Sequence, residues 1–182
     1  MLQQTGAKAS GTGVKVVGPA DGKSGSLGMI GVRFMIDGDE TEGRFSLVEH
    51  PMPPRALAAP LHRHLREDEY SFVLEGSVGA LLGDEVVIAG PGDLLFKPRN
   101  QWHTFWNAGD EPARILEIIA PSGFERFFDE LVGLGGAVNA DPHALAELCE
   151  RYGLEMQPDT IPGLIERFGL RAPATRRREP LA

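Results

Sequence analysis

The sequence predicts an all-β sandwich or barrel followed by a set of short helices. Three observations carry this expectation. Gly and Pro are abundant, at 23 and 14 of 182 residues, and they are spread along the chain instead of clustered. That is the composition of a fold with many turns and many short strands. Between Gly28 and Ala120, about eight β-type segments recur at regular spacing, the pattern of a sandwich or barrel. Past Pro121 the apolar period lengthens from two to the helical value.

The expected strands are 29–36, 43–50, 69–75, 78–82, 85–88, 94–97, 103–107 and 112–119. Turn chemistry separates them: Asp37-Gly38-Asp39, Pro51-Met52-Pro53-Pro54, Glu75-Gly76, Gly83-Asp84, Gly90-Pro91-Gly92-Asp93 and Asn107-Ala108-Gly109-Asp110. Val14–Val17 is a further edge-strand candidate. After the last strand, Ser122 is a candidate cap for a helix whose apolar face is Phe124, Phe127, Phe128 and Leu131. Asp141-Pro142 has the form of an N-cap with proline in the first helical position. Ala144, Leu145, Leu148 and Tyr152 then recur at helical spacing. A third short helix is expected from Thr160 and Pro162, ending at Gly169. The expected organisation is a flexible N-terminal arm over 1–27, a barrel over 28–120, a helical appendage over 121–170 and a disordered basic tail over 171–182.

Bulk composition narrows the function classes. Hydrophobic content of 42% and charged content of 24% are ordinary for a soluble globular protein. A net charge of −8 argues against general nucleic-acid binding, and Arg176, Arg177 and Arg178 read as a solvated tail. The single cysteine, Cys149, excludes an intramolecular disulfide and sits in an apolar helical pattern, where it reads as a small buried hydrophobe. The stretch MLQQTGAKASGTG lacks the apolar segment of a signal peptide, and no run approaches 18 apolar residues. The expectation is a cytoplasmic protein with neither nucleic-acid nor membrane partners.

The chemistry sits in the histidines, of which there are five. His62 and His64 are two apart, so on a strand their side chains share a face, roughly 6.5–7 Å apart. Two imidazoles at that spacing can converge on one ion. Glu69 follows after an odd number of residues, which requires a bend, and Arg66-Glu67-Asp68 is polar enough to supply one. Taken alone, the pair is weak evidence and reads more readily as a polar strand end. His143 reads as an exposed helix residue, and His50 ends a strand near the expected rim.

The wider pattern is more specific. His62-x-His64-x4-Glu69-x6-Gly76 and Gly92-x5-Pro98-x-Asn100-x2-His103-x3-Asn107 occur in order. Together they resemble the two motifs of the cupin superfamily. There are two departures: Ala56 replaces the glycine six residues before His62, and Asn100 stands where the family has glycine. Asn tolerates the left-handed backbone best after Gly, so the turn survives physically. The resemblance implies a cupin (double-stranded β-helix, or jelly-roll) barrel with short C-terminal α-helices. It also implies one divalent transition metal (Fe, Mn, Ni, Cu or Zn) held by His62, His64, Glu69 and His103. Three neutral ligands and one anion would leave a net charge of about +1, with coordination positions open. A homodimer formed by sheet pairing is the family-level expectation for partners.

Strand alternation places Ser71 and Val73 on the face of Glu69, and Phe105 and Asn107 on the face of His103. Ser71, Val73 and Phe105 are therefore expected pocket residues, and Phe96, one of the aromatics near in sequence, is a fourth, in a mostly apolar cavity suited to an aromatic or hydrophobic small-molecule substrate. The Phe-rich helix is open to two readings, covering a barrel opening or packing outside. Its segment Gly123-Phe124-Glu125-Arg126-Phe127-Phe128 is similar to one in bacterial single-domain quercetinase-like cupins. That resemblance implies a metal-dependent dioxygenase in which Glu69 is both metal ligand and catalytic base. An O2-independent isomerase or lyase, and a non-catalytic small-molecule-binding cupin, share the same ligand set and stay open.

Overall fold

A computed structural model describes residues 15–172. Eleven strands and three α-helices occur among them: β1 (Ser24–Ser26), β2 (Gly31–Ile36), β3 (Ser46–Met52), β4 (Leu61–His64), β5 (Asp68–Glu75), β6 (Val78–Leu82), β7 (Glu85–Ala89), β8 (Leu94–Lys97), β9 (His103–Asn107), β10 (Ala113–Ala120), α1 (Glu125–Gly133), α2 (Pro142–Tyr152), β11 (Leu154–Gln157) and α3 (Ile161–Phe168). The strands form two antiparallel sheets, ordered β1-β2-β3-β10-β5-β8 and β11-β4-β9-β6-β7. This is the all-β jelly roll the sequence predicts.

Alternation decides which residues enter the core. On β10, Ala113, Ile115, Glu117 and Ile119 are buried while their neighbours are only half-buried. On β5, Glu69, Ser71 and Val73 point inward. Burying one apolar face of each sheet against the other provides most of the driving force, at about 25 cal/mol per Å². Two turns show why their residues are what they are. Gly76 has φ +78°, and a Cβ there would lie 2.6 Å from the Ala113 Cβ, so only glycine fits between β5 and β6. Asn100 takes φ 66°, as expected for the residue in place of the family's glycine, and its N–H donates to the His64 carbonyl at 2.7 Å. That bond ties the β8–β9 turn to the strand bearing two of the histidines.

The C-terminal segment departs from a purely helical appendage. Leu154–Gln157 forms β11, which pairs antiparallel with β4, placing Leu154 opposite His64 and Met156 opposite His62. α3 covers the outer face of the same sheet, where Phe168 stacks on Trp106 with ring centroids 4.0 Å apart. Asp141 caps α2 as expected, accepting from the His143 and Ala144 amides, and Gly153 and Gly169 end α2 and α3 in left-handed conformation. Ser122 does not cap α1. The Glu125 carboxylate instead accepts from the Gly123 and Gly38 amides. Thr160 does not cap α3 either: its hydroxyl donates to the Gln157 carbonyl and accepts from the Leu61 amide.

At the N-terminus, the edge-strand candidate fails where it can be seen. Val14 lies outside the described residues, and Lys15–Val17 is not a strand. Within the expected flexible arm, Ser24–Ser26 is the short β1, paired with β2. The basic tail from residue 173 onward also lies outside the described residues. Cys149 is buried, as expected.

Candidate metal centre

His62 and His64 lie on β4, Glu69 on β5 and His103 on β9. The bend falls at Leu65-Arg66-Glu67, one residue earlier than expected because Asp68 already opens β5, and it carries the chain from one sheet to the other, so the four side chains face each other across the barrel. All four are buried, and one ligand atom from each lies within 4.8 Å of all the others. The imidazole centroids are 4.3 Å apart for His62 and His103, and 5.3 and 5.5 Å from His64 to each of them.

Backbone carbonyls fix two of the rings. His62 Nδ1 lies 2.8 Å from the Pro60 carbonyl, and His103 Nδ1 lies 3.0 Å from that of Gln101. A carbonyl only accepts, so each Nδ1 carries the proton and each Nε2 keeps a lone pair facing the cluster. Both nitrogens of His64 and the Nε2 of His103 are buried with no hydrogen-bond partner. Buried polar atoms are nearly always paired. Unpaired imidazole nitrogens converging on a carboxylate have the donor set and tautomers that a first-row divalent ion requires. The residues present fit the implied metal.

A second buried group adjoins the ligands. Lys97, fully buried, places Nζ 2.9 Å from Glu69 Oε2 and 3.0 Å from Glu117 Oε2. Ser71 donates to the same Glu117 oxygen at 2.8 Å, while Glu117 Oε1 has no partner. Burial would raise the Glu69 carboxyl, yet His64 and Lys97 hold it well below the usual range. Burial pushes Glu117 up to about 7 against the pull of Lys97. Burial would lower Lys97, but Glu117 and Glu69 hold it charged. Lys97 and Glu117 were not anticipated from sequence. Strand parity is the signal that finds them: Glu69 pairs across the sheet with Lys97, and Ser71 with Glu117.

The cluster borders a cavity of about 300 Å³. Its walls are apolar, with Leu27, Ile30, Phe105, Phe124, Phe127 and Phe128 among the lining side chains. α1 therefore walls the barrel opening instead of packing outside. Of the four expected pocket residues, Phe105 lines the cavity. Ser71 and Val73 face inward but lie behind the lining, Ser71 bonded to Glu117. Phe96 does not line it: Lys97 is the inward residue of β8, so Phe96 turns outward, 48% exposed and stacked on Tyr70. His50, unassigned by sequence reasoning, lines the cavity beside Phe105 and Phe128. His143 is exposed, as expected.

Burial lowers the pKa of His50 and His64 to about 4. The unfolded chain then binds more protons than the folded one between pH 6.5 and 4, so stability falls as pH drops through that window. For metal-free protein, His50 alone is expected to remove on the order of 3 kcal/mol over that range. Urea midpoints at pH 7 and pH 4.5 measure this. His50→Phe is expected to reduce the dependence by that amount while His62 and His64 keep their share, and an unchanged slope would refute the assignment.

Comparisons with known proteins agree with the geometry. The family model described as "Cupin domain" matches residues 49–119. The tetracenomycin polyketide synthase protein TcmJ of Streptomyces glaucescens is 35% identical over 60 residues, which is 33% of this chain and 40% of that protein. The match thus spans well under half of TcmJ. The polyketide cyclase RemF of Streptomyces resistomycificus is 30% identical, with a TM-score of 0.51, over 60% of this chain and 80% of RemF. A cupin-superfamily sugar phosphate isomerase of Silicibacter pomeroyi shares the fold at 22% identity and a TM-score of 0.50, over 58% of this chain and 75% of its own. With the jelly roll, both sequence motifs, the cupin-domain model over residues 49–119 and the match to RemF at 30% identity over 80% of its length, this chain belongs to the cupin superfamily.

Proposed function

We propose that the protein is a metal-dependent enzyme acting on a largely apolar aromatic small molecule that carries a phenolic or enolisable hydroxyl. One observation carries this reading: a cavity of about 300 Å³ with aromatic and aliphatic walls is lined by His62, His64 and Glu69 of the cluster that His103 completes. His62, His64, Glu69 and His103 would hold the ion, which when bound supplies Lewis acidity toward a substrate oxygen.

The protein's own residues do the rest. Phe105, Phe124, Phe127 and Phe128 sandwich a flat ring system and exclude water, which strengthens every electrostatic contact inside. Lys97 holds Glu69 through Oε2, so Oε1 is the carboxylate atom placed to accept a proton from the substrate. Loss of that proton leaves an enolate or phenolate, the common first step of carbon–carbon cyclisation and of oxygenation.

The names of TcmJ and RemF, a polyketide synthase protein and a polyketide cyclase, support cyclisation of a poly-keto aromatic without O2. A dioxygenase-type reaction is the second reading. It is favoured by the Phe124–Phe128 segment, which carries the quercetinase-like resemblance and forms a cavity wall. Metal-reconstituted protein is tested with an aromatic 1,3-diketone and a flavonol, under nitrogen and under air. Product under nitrogen is expected. Product formed only in air, with O2 uptake, selects the dioxygenase. No conversion in either atmosphere refutes the enzyme reading and leaves a binding protein.

A further inference from the structure

His50 is a buried titratable group that the reaction above does not use. It sits on β3 with its ring in the cavity wall, 2% exposed, and its centroid lies 5.2 Å from that of Phe128 and 6.5 Å from that of Phe105. Its Nδ1 lies 2.9 Å from the Gly31 carbonyl. A carbonyl only accepts, so Nδ1 carries the ring proton and Nε2 presents a lone pair.

Its place along the barrel follows from register. On β10, Ile119 faces Glu69 and Ile115 faces His50. Four residues of strand separate the two levels by about 13 Å. Glu117 lies between them, with Oε1 unpaired. Away from the metal ligands, the cavity wall thus offers an acceptor, the His50 lone pair. An apolar cavity furnished with an acceptor discriminates in favour of ligands that bring donors, because a buried acceptor left unpaired is unfavourable.

We propose that His50 Nε2 is a second substrate contact, accepting a hydrogen bond from a hydroxyl on the ring farthest from the metal cluster. The inference rests on reading the cavity as a substrate site. It narrows the substrate to an elongated polycyclic aromatic with oxygen functions at both ends: one group for the metal, and a hydroxyl, not an ether or a ketone, for His50.

The probes are 1,6-dihydroxyanthraquinone and its 6-methyl ether. Both present the same hydroxy-ketone to the metal and differ only at the opposite ring. Binding to metal-loaded protein is followed by the absorbance of the probe, with no turnover required. The hydroxyl compound is expected to bind roughly 10-fold more tightly than the ether. In His50→Phe the preference is expected to vanish while metal content per chain stays unchanged. A wild-type ratio near one, or a preference that survives in His50→Phe, overturns the inference and leaves the cavity reading standing. If neither probe binds the wild-type protein, the cavity reading fails and the inference fails with it. Should His50→Phe not fold, the wild-type ratio still decides, together with the 15N resonance of His50 Nε2. That resonance is expected to move upfield with the hydroxyl probe and not with the ether; equal behaviour toward both overturns the proposal.

Discussion

Replacing His103 with alanine is expected to abolish stoichiometric metal binding, and His62→Ala to do the same. Each ring contributes an Nε2 already oriented by a carbonyl on its Nδ1, so neither can be replaced by rotation of a neighbour. Loss even of an orienting partner behind a ligand typically costs 10- to 100-fold in metal affinity. Loss of a ligand from a set of four is therefore expected to cost at least about 100-fold. Elemental analysis of protein purified after metal supplementation measures it. About one ion per chain is expected for wild type and near none for either variant. If both variants keep about one ion, the site is wrongly assigned.

Lys97→Met is expected to lower the stability of metal-free protein by about 3–5 kcal/mol. The ammonium is fully buried and lies between two carboxylates, with the Phe105 ring 4.4 Å away. Its removal leaves Glu69 and Glu117 facing each other with no counter-charge, and Ser71 cannot neutralise either. The double variant Lys97→Met, Glu117→Leu removes one of those carboxylates as well. It is expected to recover part of the loss, because an apolar replacement of a buried pair is often tolerated. Urea unfolding of the two single variants and the double completes the cycle. Strictly additive effects would mean that the two groups are not coupled.

The sequence revealed most where the chemistry is local. The four residues of the cluster were legible because they stand in the order and spacing of the two cupin motifs; strand period and one bend account only for His62, His64 and Glu69, which are close in the chain. Gly76 and Asn100 were legible for the same reason, as turns demand particular backbone conformations. The polar residues around the ligands were not. Lys97 and Phe96 are adjacent on β8, and hydrophobicity alone puts the phenylalanine inside. The pairing of β8 with β5 decides otherwise, because Lys97 stands opposite inward-facing Glu69 and has a buried partner there. His50 reaches the cavity only once β3 is registered against β10, and β11 exists only because β4 offers it an edge. Those are contacts between residues far apart in the chain, which no local pattern encodes.

β11 also has a bearing on the order of events during synthesis. β4 is bound to β9 through a single registered pair, His62 with His103, whereas it pairs with β11 over four. All four ligands have been made once residue 103 leaves the ribosome, but the strand that secures the two histidines of β4 follows about fifty residues later. A growing chain therefore holds all four side chains of the cluster before β4 is paired along both of its edges. An ion taken up at that stage would still be exchangeable, and the pairing of β11 with β4 would set the moment at which it is retained.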